Sequence, residues 1–289
     1  MDDAKKELIY VILILFGLAI IWAYTGGPQR PSSKSGPFLE RPLEKEQQAL
    51  LRETKSISSG GEKTSQEEIS AESAYRYKAL IESIYGAKSS DPQKEYIKIR
   101  ASSQNTEPLP ISKWSLEGKK GIKIKLGKGA YLPYSGRVNP QKEIVLYPGE
   151  TAYIITGRSP IGTSFKLNKC TGYFTQFQNF FPSLPKECPY PKDENPPESL
   201  DDNCLDYIER LPRCEIPLNL PYGLSSECTE YITENINYQS CVASHKGDSD
   251  FYKKEWRIYL GREEELWKNK RETIILYDEK DKIVDWKSY

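Results

Sequence analysis

All six cysteines of this 289-residue chain fall in one stretch, at Cys170, Cys188, Cys204, Cys214, Cys228 and Cys241, and none precedes them. An even set of thiols spaced this way reads as a disulfide framework, and disulfides persist only in an oxidising compartment. A second feature fits that compartment: one apolar run, LIYVILILFGLAIIWAY, from Leu8 to Tyr24, with Lys5 and Lys6 before it and Arg30 and Lys34 after it. At 1.5 Å per residue about seventeen residues span ~26 Å, just short of a ~30 Å hydrocarbon core. Trp22 and Tyr24 extend the reach, because aromatic rings favour the membrane interface. The segment reads as an uncleaved single span over residues 8–25. The alternatives are a cleaved signal peptide, which lacks an A-x-A site here, and a buried helix. The flanking charges do not set orientation, but the cysteines do: residues 1–7 form a short cytoplasmic tail and the folded part is extracytoplasmic, at the cell surface.

Lys and Arg total 41 and so do Asp and Glu. With no global basic field, nucleic acid is not an expected partner. Residues 26–75 are rich in Gly, Ser, Pro and charge and read as a flexible stalk. From Tyr77 onward the texture is that of short strands. KALIESIY, EYIKIRA, ISKWSL, GIKIKLG, KEIVLYPG and TAYIITG are each bounded by Gly, Pro or polar residues, and WRIYL, TIILYD and KIVDW close the chain. EYIKIRA alternates strictly, with Tyr96, Lys98 and Arg100 on one face and Ile97 and Ile99 on the other. Such spacing predicts a mainly β domain over 76–289, a sandwich or barrel.

Residues 169–250 interrupt that pattern. The proline-rich run before Ser199 excludes a central strand or helix. Two short helices are expected after it, one capped by Ser199 and one by Ser225 or Ser226. An antiparallel hairpin of these two would nest Cys204–Cys241 around Cys214–Cys228, leaving Cys170 with Cys188; six cysteines allow about 15 pairings.

The order of the β segments resembles the lamin-tail domain, an immunoglobulin-like β-sandwich that also occurs in bacterial surface proteins. The matching residues are Ile81-Glu82-Ser83-Ile84, then Glu95-Tyr96-Ile97-Lys98-Ile99, then the W-x-L strand Ile111-Ser112-Lys113-Trp114-Ser115-Leu116. Ile144-Val145-Leu146-Tyr147-Pro148-Gly149 follows, and Thr273–Asp278 and Lys282–Asp285 supply the closing pair of strands. The resemblance covers roughly residues 78–168 and 255–289. It implies a sandwich with Trp114 as a core anchor and the Cys-rich segment as an added insert. The family's usual Gly before the Trp is Lys113, its usual Asn-rich turn is Ala101-Ser102-Ser103, and the final turn lacks its Gly.

Signals of chemistry are sparse. His245 is the only histidine and reads as a surface residue. No G-x-S-x-G, H-E-x-x-H, C-x₂-C or phosphate-loop pattern occurs, so neither a cofactor nor a structural zinc is expected. Asp201, Asp202 and Asn203, or Asp248 and Asp250, offer oxygen ligands for calcium; helix capping and a solvated turn are the plainer readings. Lys119, Lys120, Lys123, Lys125 and Lys128 make one stretch basic, either as a face for an anionic polymer or as an ordinary wet edge strand. The expected function is non-catalytic: adhesion, or interaction with an envelope polymer or a surface protein. The alternatives are a carboxylate-based enzyme acting on envelope glycans and a structural subunit of an envelope complex.

Overall fold

A computed structural model describes residues 73–86, 89–118, 121–267 and 271–289, all within one compact unit, Ile69–Tyr289. The predicted span at 8–25, the stalk as far as residue 72, Lys119 and Lys120 lie outside the described residues. Among the described residues no helix is long and apolar enough to cross a membrane.

The unit is mainly β. A five-stranded sheet has the order β1 (Ala79–Tyr85), β2 (Tyr96–Ala101), β7 (Thr151–Ile155), β9 (Tyr252–Tyr259), β8 (Phe165–Asn168). A four-stranded sheet has the order β11 (Ile283–Ser288), β10 (Thr273–Tyr277), β4 (Ser115–Glu117), β5 (Lys123–Lys125). A small pair joins β3 (Leu109–Pro110) to β6 (Val145–Leu146). All named pairings are antiparallel except β7 with β9, which brings the last part of the chain beside the middle.

The two larger sheets share one core because each strand sends alternate side chains into it. Ile97, Ile99, Ile154, Trp256 and Ile258 enter from the five-stranded sheet, and Leu116, Ile274, Leu276 and Val284 from the other. Each such burial stabilises the fold by about 1.5–3 kcal/mol. Trp114, just before β4, is fully buried; its indole N–H donates to Glu279 Oε2 at 3.2 Å and its ring lies 5.1 Å from that of Tyr75. Side chains stitch the edges of the two sheets together. The Ile81 N–H donates to Asp285 Oδ2 at 2.7 Å, and Lys287 Nζ donates to the carbonyls of Ile81 and Glu82. These bonds occupy backbone groups that an edge strand would otherwise offer to another chain.

The insert departs from the expected hairpin. Three helices form: α1 (Asp202–Glu209), α2 (Ser226–Asn235) and α3 (Tyr238–His245). Asp201, not Ser199, caps α1 by accepting from the Cys204 N–H, while Ser225 caps α2 and Asn237 caps α3. The bridges are Cys170–Cys241, Cys188–Cys214 and Cys204–Cys228, so the nested pairing is corrected. Cys204 and Cys228 each sit in the first turn of their helix, so the starts of α1 and α2 meet instead of start meeting end. Cys241 is carried away by α3, whose Tyr238 ring lies 4.5 Å from Phe174 beside the end of β8. Cys188–Cys214 closes against Gly172, where any Cβ would collide with Cys214 Sγ.

Lys166 and Glu150 form a buried ion pair at 2.6 Å near the Trp256 and Tyr147 rings, with side-chain exposures of 4% and 9%. Removing one partner strands the other charge in a poor solvent for it, whereas removing both does not. Lys166→Met is therefore expected to lose about 3–5 kcal/mol in urea unfolding, and Lys166→Met with Glu150→Leu to recover most of that. Lys113 occupies the left-handed region at φ 74°, where a side chain costs roughly 1–2 kcal/mol and glycine much less. Lys113→Gly should raise stability by up to about 1 kcal/mol in the same measurement.

Candidate functional site

The outer face of the five-stranded sheet gathers rings and charges that point away from the shared core. Pleating sends Tyr96, Lys98 and Arg100 of β2 outward. Register then aligns four side chains across four strands: Lys98 is opposite Tyr153, Tyr153 opposite Arg257, and Arg257 opposite Phe165. Cation and ring alternate along that row. Lys98 Nζ lies 5.5 Å and the Arg257 guanidinium 4.5 Å from the centre of the Tyr153 ring. One pair of residues along, Tyr85 is opposite Tyr96 and stacks on it at 5.2 Å. Tyr96 also meets Tyr153 at 5.4 Å, and Phe181, entering from the insert, meets Tyr85 at 5.6 Å and Tyr96 at 5.9 Å.

The insert covers one half of this face. Phe165 and Tyr259 lie under Phe174 and Phe180, and Arg257 is nearly inaccessible. The other half stays accessible: Tyr85 is 54% exposed, and Tyr96, Lys98, Tyr153 and Phe181 are half-buried. The result is a step, with a floor of Tyr96, Tyr153 and Lys98 and a wall at Phe181.

Charges on the step are engaged but reachable. Glu82 pairs with Lys98 at 2.9 Å and with Arg100. Burial would raise the Glu82 pKa, but Lys98 and Arg100 together hold it below its ordinary range. Burial, then the neighbouring Tyr153 and Tyr85 phenols, push the Tyr96 pKa up, against a smaller pull from Arg257 and Lys98. At neutral pH the phenol is therefore an uncharged donor and acceptor. Flat rings, hydroxyls and an ammonium group on one surface suit a ligand with apolar faces and a polar rim.

The residues singled out in the sequence fall elsewhere. Lys123 and Lys125 lie on β5, an outer strand of the four-stranded sheet. Lys123 is bound to Asp281 at 2.7 Å and sits 3.7 Å from the Tyr277 ring centre, and Lys128 pairs with Glu143 at 3.2 Å. Asp201 is spent as a helix cap, Asn203 donates to the Gly223 carbonyl, and Asp248 and Asp250 both accept from Lys169 at 2.7 Å. Among the described residues no group of three or more His, Cys, Asp or Glu side chains could hold a metal ion. Tyr153, Phe181 and Arg257 had no signal as members of a site, because only strand pairing and the insert bring them to Tyr96.

His245 is more engaged than a lone surface histidine. Its two ring nitrogens lie 2.8 Å from Glu194 Oε1 and 2.8 Å from Asp248 Oδ2, tying the Pro191–Glu194 turn to the end of α3. A pit beside this contact, lined by Tyr173, Pro191, Glu194 and Tyr231, is water-sized.

No family model, curated protein or solved structure matches the chain.

The pKa of His245 is raised: burial disfavours the cation, but the hydrogen bonds to Asp248 and Glu194 together outweigh it. A raised pKa adds stability that is full below the unfolded value of about 6.5 and is lost as pH rises through the folded value. The stability difference between the native chain and His245→Gln should therefore be largest in mild acid and shrink towards pH 8. Parallel melting curves test this, and a difference that grows with pH would contradict it.

Proposed function

We propose that this chain is a membrane-anchored, extracytoplasmic, non-catalytic binding module whose ligand is an envelope polymer or surface protein, and that the step of Tyr85, Tyr96, Tyr153 and Phe181 is its binding surface. The observation that carries the reading is the half-covered sheet face. Four rings converge with Lys98 at a place the insert leaves accessible, and contiguous accessible apolar surface of this kind marks interaction sites. The three disulfides support an oxidising, extracytoplasmic setting. Membrane attachment rests on the Leu8–Tyr24 run.

In the same reading the β scaffold is an immunoglobulin-like sandwich of the lamin-tail type. Two sheets around one core support this, as do the two positions where the chain departs from the family's glycines. Lys113 has φ 74° and Asp281, in the final turn, φ 60°, so both hold the left-handed conformation that glycine takes most easily.

The test is co-sedimentation of the oxidised 69–289 unit with purified envelope glycan from its own source. Saturable binding is expected, and Tyr85→Ala with Tyr153→Ala should weaken it by about fivefold to a hundredfold, since each ring contact is worth about 0.5–1.5 kcal/mol. Unchanged binding in that variant would remove the step from the reading. Sugar fragments released into the supernatant would replace a binding module with a carboxylate-based glycan enzyme.

A further inference from the structure

The segment between α1 and α2 carries a second exposed apolar feature, far in sequence from the aromatic step and independent of it. Residues 212–224 read PRCEIPLNLPYGL. Their apolar side chains divide by position. Leu220 and Leu224 pack against the small core of α1 and α2, and Ile216 against the larger core of the insert. Leu218 and Tyr222 join neither core: Leu218 is 66% exposed and Tyr222 is exposed completely.

The loop that presents them is held at several points. Cys214 is tied to Cys188, and Gln176 takes both the N–H (2.8 Å) and the C=O (2.9 Å) of Ile216. The Asn203 amide donates to the Gly223 carbonyl at 3.3 Å, and Cys204–Cys228 joins the helices on either side. Pro217 and Pro221 restrict the backbone between these anchors. Leaving a large ring and a leucine in water brings no folding benefit, yet a rigid loop that offers them loses little entropy when they are covered. Tyrosine is also among the residues that most often dominate binding at interfaces.

Charge on the supporting helices selects the kind of partner. Asp202, Asp206 and Glu209 of α1 and Glu227, Glu230 and Glu234 of α2 are all exposed, against Arg210 and Arg213. Asp202 and Glu227 lie next to the caps that meet at the base of the loop, where Ser199 Oγ reaches Glu227 at 3.4 Å. An acidic surround repels anionic lipid headgroups and favours a basic protein surface. We infer that Leu218 and Tyr222 form a docking finger for a protein partner that carries an apolar pocket bordered by Lys or Arg.

The experiment places a photoreactive side chain on the full-length protein in intact cells of its source, as Tyr222→p-benzoylphenylalanine, with Thr233→p-benzoylphenylalanine on the exposed side of α2 as control. Non-reducing gels establish that the three disulfides form in both, so a missing adduct cannot be put down to misfolding. The expected result is a discrete protein adduct from position 222 only. Its crosslinked peptide should map to an apolar pocket flanked by Lys or Arg, and its yield should fall at least fivefold with Leu218→Ser or with Asp202→Lys and Glu227→Lys together. An adduct to lipid, an adduct to a polar or acidic surface, a yield indifferent to those substitutions, or no adduct above the control would each overturn the inference.

Discussion

Arg257 sits where sheet and insert meet, and much of the molecule's outer architecture depends on how its guanidinium is satisfied. It is 3% exposed, lies over the Tyr153 ring, and donates to Glu255 Oε1, to the Pro182 carbonyl at 2.8 Å and to the Ser183 carbonyl at 3.2 Å. The two carbonyls belong to a proline-containing stretch outside the sheets and helices, and the guanidinium supplies them with donors from the sheet. A guanidinium suits this role because its donors lie in one plane and diverge. With those bonds made, the insert turns across β8 and β9 and stops, and Phe181 stands at the boundary as the wall of the aromatic step. The accessible surface and the covered one are thus consequences of the same contact.

The insert itself is small cores organised around sulfur. Cys204–Cys228 is surrounded by Leu200, Ile208, Ile232 and Ile236, while Cys170 and Cys241 join Phe165, Phe174 and Tyr238 in the layer against the sheet. Short helices of eight to ten residues are marginal alone, and apolar clusters this size do little to hold them. The bridges close loops of 71, 26 and 24 residues, and such crosslinks commonly contribute about 2–5 kcal/mol each. The rigid loop carrying Leu218 and Tyr222 depends on that bracing, because both disulfides at its base would have to remain for the tip to keep its shape.

Local pattern made a good part of the fold legible. The alternation in EYIKIRA marked Tyr96, Lys98 and Arg100 as one face, and short apolar runs marked most strands, because pleating and burial act on neighbours in the chain. Phe165–Asn168 was not legible as a strand: FKLN alternates for only four residues, and burial of Lys166 and Asn168 along with Phe165 and Leu167 comes from their partners in the fold. Tyr238–His245 was not legible as a helix either, since YQSCVASH has no continuous apolar stripe and gains its order from Asn237 and from docking on Phe174. Missing that helix misplaced Cys241, and placing the start of α1 beside the end of α2 misplaced the remaining pairs. For the candidate site the β2 residues were readable, but their partners were not.

By itself the sequence determined an oxidising setting, an apolar N-terminal run, a β-rich body and an interruption of it by a cysteine-bearing insert, since composition and short-range periodicity carry that information. Only the tertiary structure decided which cysteines join and that Tyr153, Arg257 and Phe181 meet Tyr96. It likewise decided that Lys123 and Lys128 are tied up in ion pairs. The physical reason is range: those outcomes depend on the register of strands whose paired residues lie 55 (Lys98 and Tyr153) and 104 (Tyr153 and Arg257) positions apart, the second pairing being the parallel β7–β9 one, and no local spacing encodes either.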